Sequence, residues 1–274
     1  MSAPSTELII EAGRSDRNYY RDLWRYRELL ALLAWRDVKV RYSQTLLGAA
    51  WALVQPLASV AIFTFVFGRL AKMPSGTEPY FITVMVGQLA WQLFANSLSN
   101  SSGSLLAGAN LISKVYFPRL VVPLSSLLVA LIDFAIVLGV YVLAALWTGT
   151  IPGVSAIFLP FFILTVLLLA LGAGLWLAAL TVRFRDFRIV VPFLLQIGVF
   201  ATPVGYRTDN IPNWYDLLAL NPMTGAIDAF RWSLLQVDRF PSESFLITLT
   251  WTMALLVSGI WYFRRVEKTL VDII

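Results

Sequence analysis

Residues 42–68 carry no charged side chain, while the segment just before them is dense in Arg and Lys. That abrupt change limits the possible folds more than any other feature. A bilayer core about 30 Å thick needs about 20 apolar residues in helical form. The run is long enough to cross, with residues to spare for tilt. Arg36, Lys39 and Arg41 ahead of it favour the cytoplasmic side, so the first crossing also has a direction.

The pattern recurs down the chain. Apolar runs predict crossings at about 45–68, 80–100, 120–147, 156–182, 189–206 and 244–263. The fold class expected is all-α: one polytopic membrane domain over 1–274 with six transmembrane helices. Composition agrees, because 58% of residues are hydrophobic and 14% charged, against about a quarter charged in soluble domains. The net charge of +5 sits beside apolar runs. Orientation and anionic headgroups explain it better than nucleic acid does. There is no Cys and no His. That excludes disulfides, thiol chemistry, Cys-ligated metal and the usual proton shuttle. No secretory signal is expected, since the first long apolar run begins only after residue 41.

Residues 1–41 read as a cytoplasmic arm ending in an amphipathic helix. At 100° per residue, Leu23, Tyr26, Leu29, Leu30 and Leu33 share one face. Arg21, Arg25, Glu28, Arg36 and Lys39 share the other, with Trp24 and Trp35 at the margin. Such a helix is expected to lie in the membrane plane. Gln55-Pro56 predicts a kink within the first span. Residues 96–104 are rich in Ser, Asn and Gly, and a short amphipathic helix at about 104–118 stops at Pro118 on the cytoplasmic side. The fifth span is short and broken by Pro192 and Pro203. Residues 207–243 contain apolar pieces too short to cross, read as re-entrant or interfacial helices at about 211–236. Six crossings put both ends on one side. Sixteen of the 21 Arg and Lys fall on that side and five on the other, which makes it the cytoplasm.

Little here can do bond chemistry. No Gly-Lys pair occurs, so there is no phosphate-binding loop of that type. Asp133 is the one carboxylate clearly within a span. A charge in lipid costs roughly 3 kcal/mol on insertion scales. A proton pathway would need several such groups, so Asp133 reads as a polar contact between helices. The 10 Trp, 10 Tyr and 18 Phe include rings inside spans, such as Trp51, Phe63 and Trp91. These could stack on sugar faces or simply pack against lipid.

The order of motifs carries a family resemblance. Leu-Ala-Trp-Arg-Asp-Val-Lys-Val-Arg-Tyr stands at 33–42 and Leu-Gly-Ala-Ala-Trp-Ala-Leu-Val-Gln-Pro at 47–56. Asn-Leu-Ile-Ser-Lys-Val-Tyr-Phe-Pro-Arg follows at 110–119, then Arg-Phe-Arg-Asp at 183–186, Thr-Pro-Val at 202–204, Asn221-Pro222 and Phe230-Arg231. Over essentially its whole length the chain resembles the membrane subunits of type-2 ABC exporters of polysaccharides. It is most similar to the O-antigen permeases, with capsule and teichoic-acid permeases as relatives.

The resemblance implies a bacterial inner-membrane protein that forms a homodimer and exports a lipid-linked polysaccharide. A separate nucleotide-binding subunit, in two copies, would hold ATP and Mg, and this chain would be neither an enzyme nor a cofactor carrier. Asn110, Lys114, Tyr116, Phe117 and Arg119 would belong to a coupling helix seated on that subunit. Arg41, Tyr42, Trp51, Gln55, Phe63, Pro203 and Arg231 would form the substrate gate and channel. The helices at 211–236 would gate the far side. Two other classes, an ion-gradient-driven flippase and a membrane glycosyltransferase, would need internal repeats with more intramembrane charge, or acidic clusters at the membrane face. Neither feature is evident.

Overall fold

A computed structural model describes residues 19–43, 50–74, 78–210, 214–237 and 239–267. The arm at 1–18, the start of the first expected span at 44–49 and the stretch 211–213 lie outside the described residues. Among those described, the regular elements are helices and no strand occurs. They are α1 (Tyr19–Arg25), α2 (Arg27–Ser43), α3 (Trp51–Phe63), α4 (Tyr80–Ala107), α5 (Ala109–Ile112), α6 (Val121–Thr148), α7 (Leu159–Arg183), α8 (Phe187–Gly198), α9 (Tyr215–Ala219), α10 (Pro222–Leu235) and α11 (Ser242–Glu267). Among the described residues, five helical stretches are long and apolar enough to cross a membrane: Leu53–Leu70, α4, α6, α7 with its lead-in, and α11.

The bundle is built around α4. Ile82, Val84, Val86 and Ala90 are fully buried, and α4 packs against α3, α6, α7 and α10. The expected second span, about 80–100, continues as helix to Ala107. The Ser-rich stretch does not break it because its hydroxyls bond back one turn: Ser102 Oγ donates to the Ser99 carbonyl at 2.9 Å and Ser104 Oγ to the Ser101 carbonyl at 2.7 Å. These side chains compete with the backbone without ending the helix. Their small size also lets α7 come close, since a Cβ on Gly174 would lie 2.5 Å from Ser101 Oγ. Small residues at crossing points are the usual way membrane helices pack.

The face of Leu23, Tyr26, Leu29, Leu30 and Leu33 packs on Phe117, Leu120, Val121 and Phe263, beside the start of α6 and the end of α11. The margin residues Trp24 and Trp35 remain 72% and 69% exposed. Pro56 sits inside α3 without ending it. The change of winding comes later, where Thr64–Leu70 form a π-helix. Of the helix expected at 104–118, only α5 is helical beyond the end of α4, and residues 113–120 run as turns.

Residues 189–206, expected to be short and broken, are helix only as far as Gly198. α8 has 12 residues, with Pro192 inside it, and the chain beyond Gly198 continues in turns. This segment runs antiparallel to α4. A Cβ on Gly198 would meet the Trp91 ring at 2.8 Å, and farther on Tyr80 Oη donates to the Gly205 carbonyl at 2.5 Å. The segment therefore reaches the level of the first residue of α4. Between it and α11 lies α10, started by Asn221 at the N-cap, whose side chain accepts from Met223 N at 3.0 Å, with Pro222 in the first turn. Both residue types are favoured there.

α7 and α11 touch backbone to backbone. A Cβ on Gly172 would lie 2.6 Å from the Leu255 carbonyl carbon, and backbone cannot move aside. Gly172→Ala is therefore expected to lower stability by about 1–3 kcal/mol through overpacking. Gly139→Ala, where nothing lies within 4 Å, should be neutral or stabilising by up to about 1 kcal/mol. Thermal unfolding in detergent micelles checks the pair, and equal effects would refute the close-contact account.

Candidate functional site

The site begins where α2 ends. Arg41, in the last turn of α2, reaches two helices at once. Its Nη2 donates to Asn100 Oδ1 of α4 at 3.0 Å and its Nη1 to the Asp133 carboxylate of α6. Tyr42 Oη donates to the other Asp133 oxygen at 2.5 Å. Burial first, and the bond to Asp133 second, push the Tyr42 hydroxyl up to about 12, so it stays a protonated donor at neutral pH. Asp133 lies 12 residues into α6, about 18 Å from its start. Both its oxygens are engaged, which is the helix-to-helix polar contact the sequence suggested, made by the two residues placed at the cytoplasmic gate.

Beside this clamp opens a cavity of about 840 Å3 between the end of α2, α3, α4, α6 and α8. α3 contributes Gln55, Ser59 and Phe63. They recur every four residues, which places them on one helix face. α4 contributes Gln88, Gln92 and Asn96 at the same spacing, with Trp91 beside them. Phe134 comes from α6, Gln196 from α8 and Phe200 from the turns beyond. Arg41 and Asp133 are the charged lining residues, and they are paired.

Rings shut the far end. Phe63 stacks on Phe67 and on Phe200, both with centroids 5.6 Å apart, and Phe67 meets Tyr206 at 5.8 Å. Gly205 lies under them, where a Cβ would come within 2.6 Å of both Phe63 and Phe67. The π-wound end of α3 supplies Phe67 to this stack.

Of the residues expected at a gate or channel, Arg41, Tyr42, Gln55 and Phe63 line this cavity. Trp51 opens α3, and its side chain lies outside what the structure describes. Pro203 is buried in the turns after α8. Arg231 is elsewhere: buried in α10, it sits 3.5 Å from Asp228 and donates to the Val204 carbonyl at 3.1 Å. It lines a second cavity of about 610 Å3 with Arg207, Asp209 and Glu243. Gln88, Gln92, Asn96 and Gln196 were not singled out from the sequence. The four-residue recurrence of carboxamides within an apolar run was the available signal.

At the opposite end, Asn110 lies in α5, and Lys114 and Tyr116 are exposed. Phe117 is only 3% exposed, packed into the same cluster as Leu33 and Phe263, so it holds this segment from within. Arg119 binds the end of α11: its backbone N–H donates to Glu267 Oε1 at 3.0 Å and its guanidinium to the Glu267 carbonyl. Tyr19 Oη donates to Glu267 Oε2 at 3.0 Å. Burial, and then the neighbouring carboxylate, push the Tyr19 hydroxyl up from its ordinary value.

Long apolar helices around a polar, ring-lined cavity define the class: a multi-pass membrane transport component. Comparison with known proteins is more specific. The family model described as "ABC-2 type transporter" matches residues 28–235. The chain belongs to that family. It is 29% identical to the O-antigen export system permease protein RfbA of Myxococcus xanthus over 253 residues, covering 90% of this chain and 96% of the relative. It is 29% identical to the protein of that name from Klebsiella pneumoniae, over 74% of this chain and 79% of the relative. The polysialic acid transport protein KpsM of Escherichia coli is 25% identical, over 86% and 92%.

Tyr42→Phe and Asp133→Asn break the same contact. Their effects on thermal stability in detergent are expected to be non-additive, with a coupling of about 1 kcal/mol in a double-mutant cycle. Strict additivity would show that the contact does not form.

Proposed function

We propose that the chain is the permease subunit of an ABC exporter carrying a lipid-linked, O-antigen-like polysaccharide across the bacterial cytoplasmic membrane. The observation that carries this reading is the cavity of carboxamides and aromatic rings, in a chain that aligns with O-antigen export permeases over most of both lengths. Carboxamides exchange hydrogen bonds with hydroxyls, and flat rings offer sugar faces a surface that holds without gripping.

The crossing count in this reading is six. α8 and the turns after it make the fifth crossing together, which is supported by the run of contacts from Trp91 to Tyr80 along α4. Irregular backbone at that depth is tolerated where it lines a cavity. Both termini are then cytoplasmic, in line with the sixteen-to-five distribution of basic residues. Apolar side chains left exposed on α3 and α8, such as Ile62, Phe193 and Ile197, suit a homodimer closing the channel across these helices. Energy comes from two copies of a nucleotide-binding subunit, which hold ATP and Mg. The exposed Lys114 and Tyr116 meet that subunit, while Phe117 and Arg119 transmit the push into the bundle. α10 and the turn at Gly205 serve as the far gate.

Reconstitution tests this. The chain and its nucleotide-binding subunit, placed together in liposomes, are expected to move a lipid-linked polysaccharide only when ATP is supplied. Lys114→Glu combined with Tyr116→Ala should abolish that transport while leaving the permease folded. Phe117→Ala should instead destabilise the permease by about 3 kcal/mol. Transport by the permease without its ATPase, or normal export by the Lys114/Tyr116 variant, would overturn the reading or the coupling assignment respectively.

A further inference from the structure

The charge balance of the main cavity bears on which polymers can pass. Its two charged residues, Arg41 and Asp133, neutralise each other at one end. The rest of its polar lining is Tyr42, bonded to Asp133, five carboxamides, Gln55, Gln88, Gln92, Asn96 and Gln196, and Ser59. These groups hydrogen-bond but carry no net charge. Among the described residues, a carboxylate or phosphate on the polymer would meet no unpaired cation there, and an uncompensated charge at membrane depth is costly.

Gln88, Gln92 and Asn96 recur along one face of α4, so hydroxyls of a sugar lying in the cavity would meet a row of groups that both donate and accept. Trp91 and Phe134, both nearly buried, stand nearby in the same wall. The cavity's volume, about 840 Å3, is within the range of small-ligand sites.

Resting on the exporter reading, the geometry points to a cavity selective for neutral, hydroxyl-rich sugars over acidic ones, through a described wall of carboxamides and aromatic rings. The selectivity matters because relatives of this chain are named for both O-antigen and polysialic acid.

The test uses the full permease with its nucleotide-binding subunit in liposomes and two lipid-linked probes of equal length. One is a neutral hexose oligosaccharide and the other carries a carboxylate on each sugar. The neutral probe should be exported at least tenfold faster. Gln92→Lys, which adds an unpaired cation, should narrow the tenfold difference between the probes. Equal or faster export of the carboxylated probe by the unmodified protein overturns the selectivity. An undiminished difference between the probes in Gln92→Lys overturns the role of the uncharged wall. If neither sugar moves while ATP drives export of the lipid carrier alone, the polysaccharide reading itself fails.

Discussion

The pairing of Arg41 and Tyr42 with Asp133 is the interaction on which the rest of the arrangement depends. α2 has an apolar face and could lie anywhere along the bundle. The ion pair and the hydroxyl bond fix where along α6 it ends, and the bond from Arg41 to Asn100 ties the same point to α4. A carboxylate within an apolar helix is a liability unless something neutralises it. Here its partners come from the last turn of α2. The clamp also leaves the charged groups of the described cavity lining paired with each other.

A second constraint is close approach. α4 can sit at the centre because its Ser residues and the glycines of α7 let neighbouring backbones come near. Gly172 and Gly259 do the same between α7 and α11. This economy of side-chain volume around α4 contrasts with the large rings grouped at the cavity's far end. The bundle is tight where helices must hold and bulky where a path must be shut.

Much of the helical layout was legible in the sequence. Long apolar runs bounded by charge or by Gly and Pro are unambiguous, and helices do occupy Val121–Thr148, Leu159–Arg183 and Ser242–Glu267. Local punctuation was less legible. The Ser, Asn and Gly at 96–104 lie within α4, which back-bonding hydroxyls carry through to Ala107. Nothing in the sequence marked the change of winding at Thr64–Leu70. The site was half visible: Arg41, Tyr42, Gln55 and Phe63 stood out by motif. The α4 carboxamides did not, because a Gln in an apolar run gains meaning only when its neighbours across the cavity are known. The partner of Asp133 could not be read at all, since the bond spans 92 residues of chain.

The knot at Glu267 has a mechanical meaning. Tyr19, near the chain's beginning, and Glu267, near its end, are bonded to each other, and Glu267 is bonded to Arg119. The loop that carries Lys114 and Tyr116 is thus tied to the start of α1 and to the end of α11 through one carboxylate, so that the lead-in helices, this loop and the final helix share a single anchor.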